Sequence, residues 1–341
     1  MNVIFVLRVL LFPFSVLYAS IVVIRNLLFD TGVLKSTSFD LPIITVGNLS
    51  VGGTGKTPQI EYLIRLLRKK HKIAVLSRGY KRKSKGFVLA NPEITVANLG
   101  DEPYQYYKKF DDITVAVDGN RVEGVQKIRT QKPLTEIILL DDAYQHRKIK
   151  AGYQILLTSY HDLFYKDFMM PTGNLRELWW GKKRADSIVV TKCPEDLSVE
   201  EQQNILRKIA PNKNQQVYFT KITYADSVFG TSEISLKDLK DSESEGVVLV
   251  TGIAKPKPLM DYLTFLGIEF EHLKFSDHHN FSVKELGEIH EKSISKKIIT
   301  TEKDYVRLQD EIDNLYYLPI EIQFLNRSDV FDTAILDFIK Q

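Results

Sequence analysis

Cysteine is almost missing from this chain of 341 residues: Cys193 stands alone, so no internal disulfide can form, and a lone thiol fits a reducing compartment. The adjacent histidines His278 and His279 have no third and fourth ligand at suitable spacing, so a zinc site is not expected. There is no internal repeat and no low-complexity tract, which excludes a repeat architecture. Net charge is slight, formally +3, and by itself selects no class of partner. What is present is a globular composition, 44% apolar and 26% charged, in a chain long enough for two domains with cores of their own.

Two stretches depart from that average. Val3 to Phe29 is mostly apolar but is interrupted by Arg8, Pro13, Ser15, Ser20, Arg25 and Asn26. The sixteen residues between the two arginines would span about 24 Å as a helix, short of the roughly 30 Å of a hydrocarbon core unless the arginines snorkel. No small-residue cleavage site marks a signal peptide. The segment therefore reads as uncleaved and lying in or dipping into the cytoplasmic leaflet, with a buried core helix as the alternative. The second stretch is basic, from Arg65, Arg68 and Lys69 to Arg82, Lys83 and Lys85. It is either a solvated face or a surface for anionic lipid or a phosphorylated substrate.

The most informative stretch runs from Thr45 to Pro58. Pro42–Val46 is a β-branched apolar run and Pro58–Leu67 repeats apolar residues at helical spacing, so the glycines between them join a strand to a helix. Ser50, Val51, Gly52, Gly53, Thr54, Gly55, Lys56 and Thr57 read as a phosphate-binding loop for ATP. Glycines allow backbone N–H groups to turn toward phosphate oxygens, Lys56 adds a mobile cation, and the Thr57 hydroxyl can reach Mg²⁺. Ser50 occupies the slot of the first glycine in GxxxxGK[ST], so the loop is a variant. Downstream, Glu136–Asp142 is a buried strand ending in Asp141 and Asp142, the carboxylates expected beside Mg²⁺.

Other segments read in order as strand or helix. Lys72–Ser77 is a strand delivering Arg78 and Tyr80 to a strand end, where ligands gather in open α/β sheets. Gly100-Asp101-Glu102-Pro103 opens a helix, with Asp101 as its N-cap. Ala143-Tyr144-Gln145-His146-Arg147 is a run of donors just past the acids. Trp179 and Trp180 beside Lys182-Lys183-Arg184 read as an interfacial surface or as ordinary core. Thr191-Lys192-Cys193-Pro194 lacks the final Asp of a guanine-reading motif, so guanine selectivity is unsupported. Asp238–Gly246 reads as a linker, followed by a second α/β unit in which Leu315–Leu325 alternates like one strand.

Taken together, the Gly47–Pro58 loop, Ser77-Arg78-Gly79-Tyr80, Gly100-Asp101-Glu102-Pro103, Asp141-Asp142 with Gln145-His146-Arg147, Leu175-Arg176-Glu177, Asp277-His278 and Thr301-Glu302-Lys303-Asp304 resemble the tetraacyldisaccharide 4'-kinases, the membrane-associated lipid A kinases of Gram-negative bacteria. The variant Ser50 is itself what that family's loop looks like, whereas Ala143-Tyr144 stands where the family often has Gly-Phe. The resemblance implies transfer of the ATP γ-phosphoryl group to the 4'-hydroxyl of an acylated disaccharide phosphate. It implies Asp101 as base, assisted by His278, with Lys56 at the phosphates and Asp141, Asp142 and Glu177 serving the metal. Arg78, Tyr80, Gln145, His146, Arg147, Asn174 and Arg176 are expected to meet substrate. The expected fold is α/β: a P-loop NTPase-like α/β/α sandwich over 31–237, a smaller α/β domain over 247–341, and an N-terminal membrane-associated helix over 1–30. A monomer on the cytoplasmic face of the inner membrane, with no nucleic-acid partner, is the expected setting. Rival readings are a P-loop ATPase switch that binds a protein partner and a soluble small-molecule kinase.

Overall fold

The computed structural model describes residues 8–241 and 246–340. Its first helix, α1 (Phe12–Asp30), carries Pro13 in the first turn, where no helical hydrogen bond is lost. Its amphipathicity is inverted. Ser15, Tyr18, Arg25 and Asn26 fall on one stripe at helical spacing and bond inward, while Phe14, Leu17, Ile21, Ile24 and Leu27 are exposed. By length and composition this helix could cross a membrane, and only 6% of its apolar window is buried, so the core-helix alternative does not describe it.

Strands β1 (Ile43–Asn48), β2 (Ile73–Ser77), β3 (Val88–Leu89), β4 (Thr114–Val117), β5 (Ile137–Asp141), β6 (Tyr153–Ser159), β7 (Ser187–Thr191) and β8 (Gln216–Tyr224) enter one large sheet. A smaller sheet is built from β9 (Ser227–Gly230), β10 (Glu233–Ser235), β11 (Val247–Thr251), β12 (Glu271–Lys274), β13 (Lys297–Thr301) and β14 (Leu315–Leu318). The chain then returns as β15 (Ile320–Phe324) to complete the large sheet in the order β15-β8-β7-β6-β1-β5-β2-β4-β3. Its edge strands β3 and β15 are antiparallel and the rest parallel. β1, β2, β5 and β7 are buried along their whole length, which is why their sequences are continuous Val/Ile/Leu runs rather than alternating ones.

Sheet membership crosses the expected division at 238–246 in both directions. β9 and β10 join the smaller sheet, while β15 and the final helix (Ser328–Ile339) pack on the larger one. The expected single strand Leu315–Leu325 is broken at Pro319, which has no N–H to donate, so β14 and β15 go to different sheets. Of the expected linker, Leu236–Asp241 is helical and 242–245 lies outside the described residues. Three helices position the site: α2 (Lys56–Leu67), α3 (Asp101–Lys109) and α4 (Glu302–Leu308).

Candidate active site

The glycine-rich loop leaves β1 and enters α2 through Gly55, whose φ of +83° is left-handed and favours glycine. Gly47 has a different reason: a Cβ there would sit 2.6 Å from the Tyr144 Cβ, so β1 and the turn after β5 meet through bare backbone. The loop is fastened from outside. The Val51 N–H donates to the Asn174 carbonyl at 2.8 Å, Thr191 Oγ1 to the Thr54 carbonyl at 2.8 Å, and Lys192 Nζ to the Gly53 carbonyl at 2.6 Å. The last two consume loop carbonyls, and the first takes only the Val51 N–H. The N–H groups at the start of α2, which no helix can satisfy internally, are the ones that receive phosphate in such loops.

Five expected site residues converge beside this loop: Lys56, Asp141, Asp142, Gln145 and Arg176. Lys56 Nζ lies 3.7 Å from Asp142 Oδ1 and 3.4 Å from Asn48 Oδ1. The Arg176 guanidinium spans both Asp142 oxygens, at 3.0 and 3.3 Å, and also bonds Asn48, whose carbonyl accepts from Gln145 Nε2 at 2.8 Å. The two acids differ. Burial opposes the charge of Asp142, but Lys56, Arg176 and Arg121 hold its carboxyl below the usual carboxylate range. Asp141 is pushed up to about 7 by burial and by Asp142, against the pull of Lys56 and Ser77.

Asp141 also tests whether a divalent ion fits. Its Oδ2 accepts from Ser77 Oγ at 3.1 Å, but its Oδ1 is buried without a partner. Among the described residues no group of three or more His, Cys, Asp or Glu could hold a metal. One or two carboxylates beside a phosphate loop suit Mg²⁺, which keeps much of its water and takes substrate oxygens.

Asp101 is not an N-cap. Gly100 holds that position, and Asp101 sits in the first turn of α3 with its carboxylate turned away to the other unit. His278 Nδ1 lies 2.7 Å from its Oδ2, while Arg307 donates Nε to Oδ1 at 2.7 Å and Nη2 to Oδ2 at 2.8 Å. Burial raises this carboxyl's pKa, but the hydrogen bonds and charges of His278 and Arg307 prevail and hold it low. The Thr301-Glu302-Lys303-Asp304 motif builds the His278 side. Asp304 accepts the Gly252 N–H at 2.8 Å, the Gly252 carbonyl accepts the His278 N–H at 3.2 Å, and Lys303 pairs with Asp277 at 2.8 Å. Tyr80, exposed, meets the His278 ring edge-on at 5.4 Å.

Other expected site residues have different partners. Glu177, expected at the metal, is buried with its oxygens taken by Arg184 and by Asn26 of α1, the latter at 2.7 Å. In this arrangement Arg184 neutralises it and Asn26 ties it to α1. Arg147 donates to the Asn26 carbonyl and to Asp30 and lies over the Phe29 ring, so it fastens the end of α1. Asn174 is held by Asp167 and reached by Arg8. His146 is depressed to about 4 by burial and by Arg121, Lys148, Arg25 and Arg78, and its Nε2 is buried without a partner. Arg78 is exposed at the end of β2. Trp179 and Trp180 are half exposed and packed edge-on, so they are not core.

Arg307 is the residue that sequence reasoning missed. It lies three positions beyond a recognised motif, on the same short helix, and that helical spacing was the available signal.

Comparison with known proteins shows the family. The family described as Tetraacyldisaccharide-1-P 4'-kinase (LpxK) matches residues 7–340. A tetraacyldisaccharide 4'-kinase of Flavobacterium johnsoniae is 56% identical over 338 residues, 98% of each chain. One from Bacteroides thetaiotaomicron is 44% identical over 356 residues, covering 97% of this chain and 93% of its own. The crystal structure of LpxK from Aquifex aeolicus in complex with ATP superposes with a TM-score of 0.80 at 31% identity, covering 98% of this chain and 99% of that one.

Proposed function

The chain belongs to the tetraacyldisaccharide-1-P 4'-kinase family, and from that premise we propose how its residues move the γ-phosphoryl group of ATP onto the 4'-hydroxyl of a tetraacylated glucosamine disaccharide 1-phosphate. The observation that carries the proposal is a buried, ionised Asp101 gripped by His278 and Arg307 from the second unit, in a helix whose preceding Gly100 meets Gly79 just past the carboxyl end of β2. In the transfer, the 4'-oxygen forms a bond to the γ-phosphorus as the bond to the β,γ-bridging oxygen breaks, and ADP leaves. Asp101 accepts the hydroxyl proton. A loose transition state asks little early deprotonation, so a well-oriented carboxylate of low basicity suffices. His278 and Arg307 orient it.

Lys56, the amides at the start of α2 and Arg176 neutralise charge on the phosphates and align them. Thr57, Asp141 and Asp142 would hold Mg²⁺, which when bound supplies further charge neutralisation at the phosphates. On the substrate side, Arg78, Tyr80 and the His146 neighbourhood offer cations and a ring. A cavity of about 460 Å³, lined by Phe29, Leu34 and Val122 together with Arg25 and Lys148, suits an acylated anion. The exposed face of α1 would rest in the cytoplasmic leaflet of the inner membrane, beside a monomeric enzyme.

The test is incubation with γ-labelled ATP and a panel of acylated and deacylated disaccharide phosphates. Label should pass to the acylated acceptor and be lost in Lys56→Ala. Hydrolysis without transfer, stimulated by a protein rather than a glycolipid, would replace this reading with a nucleotide switch.

A further inference from the structure

Helices α3 and α4 run antiparallel, and each has acids in its first turn and a base in its last, so opposite ends attract. At one end Asp101 meets Arg307. At the other, Lys109 Nζ sits between Glu302 of α4 and Glu61 of α2, 2.7 Å from Glu61 Oε2. Glu61 is 1% exposed and also accepts from Gln105 at 2.8 Å and from Arg65 at 3.0 Å. Glu302, 7% exposed, takes the Ile320 N–H at 3.4 Å. One ammonium thus joins the helix that begins at Lys56, the helix that begins at Asp101 and the helix that ends beside Arg307.

We propose that Lys109, clasped by Glu61 and Glu302, is a positioning residue that sets the register of α3 on α4 and so aligns Asp101 with His278 and Arg307. The proposal rests on the reading of Asp101 as the base. Among the described residues no hydrogen bond or ion pair joins these three side chains to the phosphate loop or to Asp141 and Asp142, although Glu61 lies one turn past Thr57 on α2. A buried ion cluster is poor cement, since apolar side chains of the same volume often hold as well or better; what it fixes is register. Without the ammonium, two buried carboxylates face each other and the helix pair is free to shift. A displacement near 1 Å at a base costs about 10²-fold in rate.

The experiment uses the full chain with Lys109→Met, Lys109→Arg and Glu302→Gln, each alone and with Asp101→Asn, measuring kcat, KM for ATP and thermal unfolding. Lys109→Met should lower kcat by about 10- to 100-fold with KM for ATP changed less than about 2-fold. Lys109→Arg should recover most of the loss, and Glu302→Gln should cost about 3- to 10-fold. With Asp101→Asn already present, neither Lys109→Met nor Glu302→Gln should cost more than about 2-fold. Losses that multiply in that background, or a raised KM for ATP at unchanged kcat, overturn the proposal. Glu302→Gln, nearly isosteric, carries the same cycle if Lys109→Met does not fold. Wild-type turnover by Asp101→Asn alone would instead sink the base assignment, and the clasp's purpose with it.

Discussion

Arg307 donates to both carboxylate oxygens of Asp101, Nε to Oδ1 at 2.7 Å and Nη2 to Oδ2 at 2.8 Å, across 206 positions of sequence. The same guanidinium also bonds Asn280 at 2.9 Å and the His278 carbonyl at 3.3 Å, so it fixes both members of the Asp101–His278 pair. Lysine cannot reproduce that fork. Arg307→Lys should lower kcat about 10-fold or more, and Arg307→Met, which removes a cation that helps hold Asp101 low, should also move the acid limb of the pH–rate profile to higher pH. A lowered kcat with an unmoved acid limb would separate Arg307 from the ionisation of Asp101.

Asp141 gives a prediction about stability. In the folded chain its carboxyl is raised to about 7, whereas unfolded aspartate lies near 3.9. The folded state therefore binds the extra proton in that window, and this group makes folding less favourable as pH rises from about 4 to 7. Asp141→Asn should gain on the wild type across the same window, reaching roughly 3–10 °C in Tm at pH 8 without Mg²⁺, while losing transfer. Melting curves at several pH values check it; a difference independent of pH would count against the assignment.

Glu177 separates a strut from a metal ligand. With its oxygens held by Arg184 and Asn26, Glu177→Gln should lower Tm by several degrees, since it takes the carboxylate from a half-buried guanidinium. The Mg²⁺ concentration for half-maximal rate should change less than about 2-fold. A large shift in that concentration would return Glu177 to the metal.

The exposed side of α1 can be tested without cutting the helix away, which would also strip partners from Thr172, Gln145 and Glu177. Leu17→Glu with Ile21→Glu should abolish flotation with liposomes and leave ATP binding within about 2-fold. Unchanged flotation would locate the lipid contact elsewhere.

The parts of the site legible in sequence are those built from neighbours. Gly55-Lys56-Thr57 must lie between strand and helix to work, and Asp141-Asp142 declare themselves by ending an apolar run. Asp101 was misassigned as a cap because a local role explains an Asp before a helix, and nothing nearby betrays a guanidinium arriving from residue 307. Glu177 shows the opposite limit: it adjoins Arg176, which joins the site, yet its own side chain bonds Arg184 and Asn26, partners that its neighbours in sequence do not announce. Pro319 was a visible strand breaker that alternation around it concealed. β8 escaped notice because only Val217–Thr220 is buried, leaving a short apolar signal in a polar surround.

Ile322, Phe324, Phe331 and Ile335, near the end of the chain, share one core with Ile60 and Leu63 of α2, and Tyr62 donates to Asp332 at 2.7 Å. The ribosome therefore finishes the entire second unit before it releases the pieces that seal the back of the nucleotide half. Until then a nascent chain leaves α2 uncovered and β8 as an open edge, and a stop codon after residue 319 would remove part of the ATP-binding body itself rather than a dispensable tail.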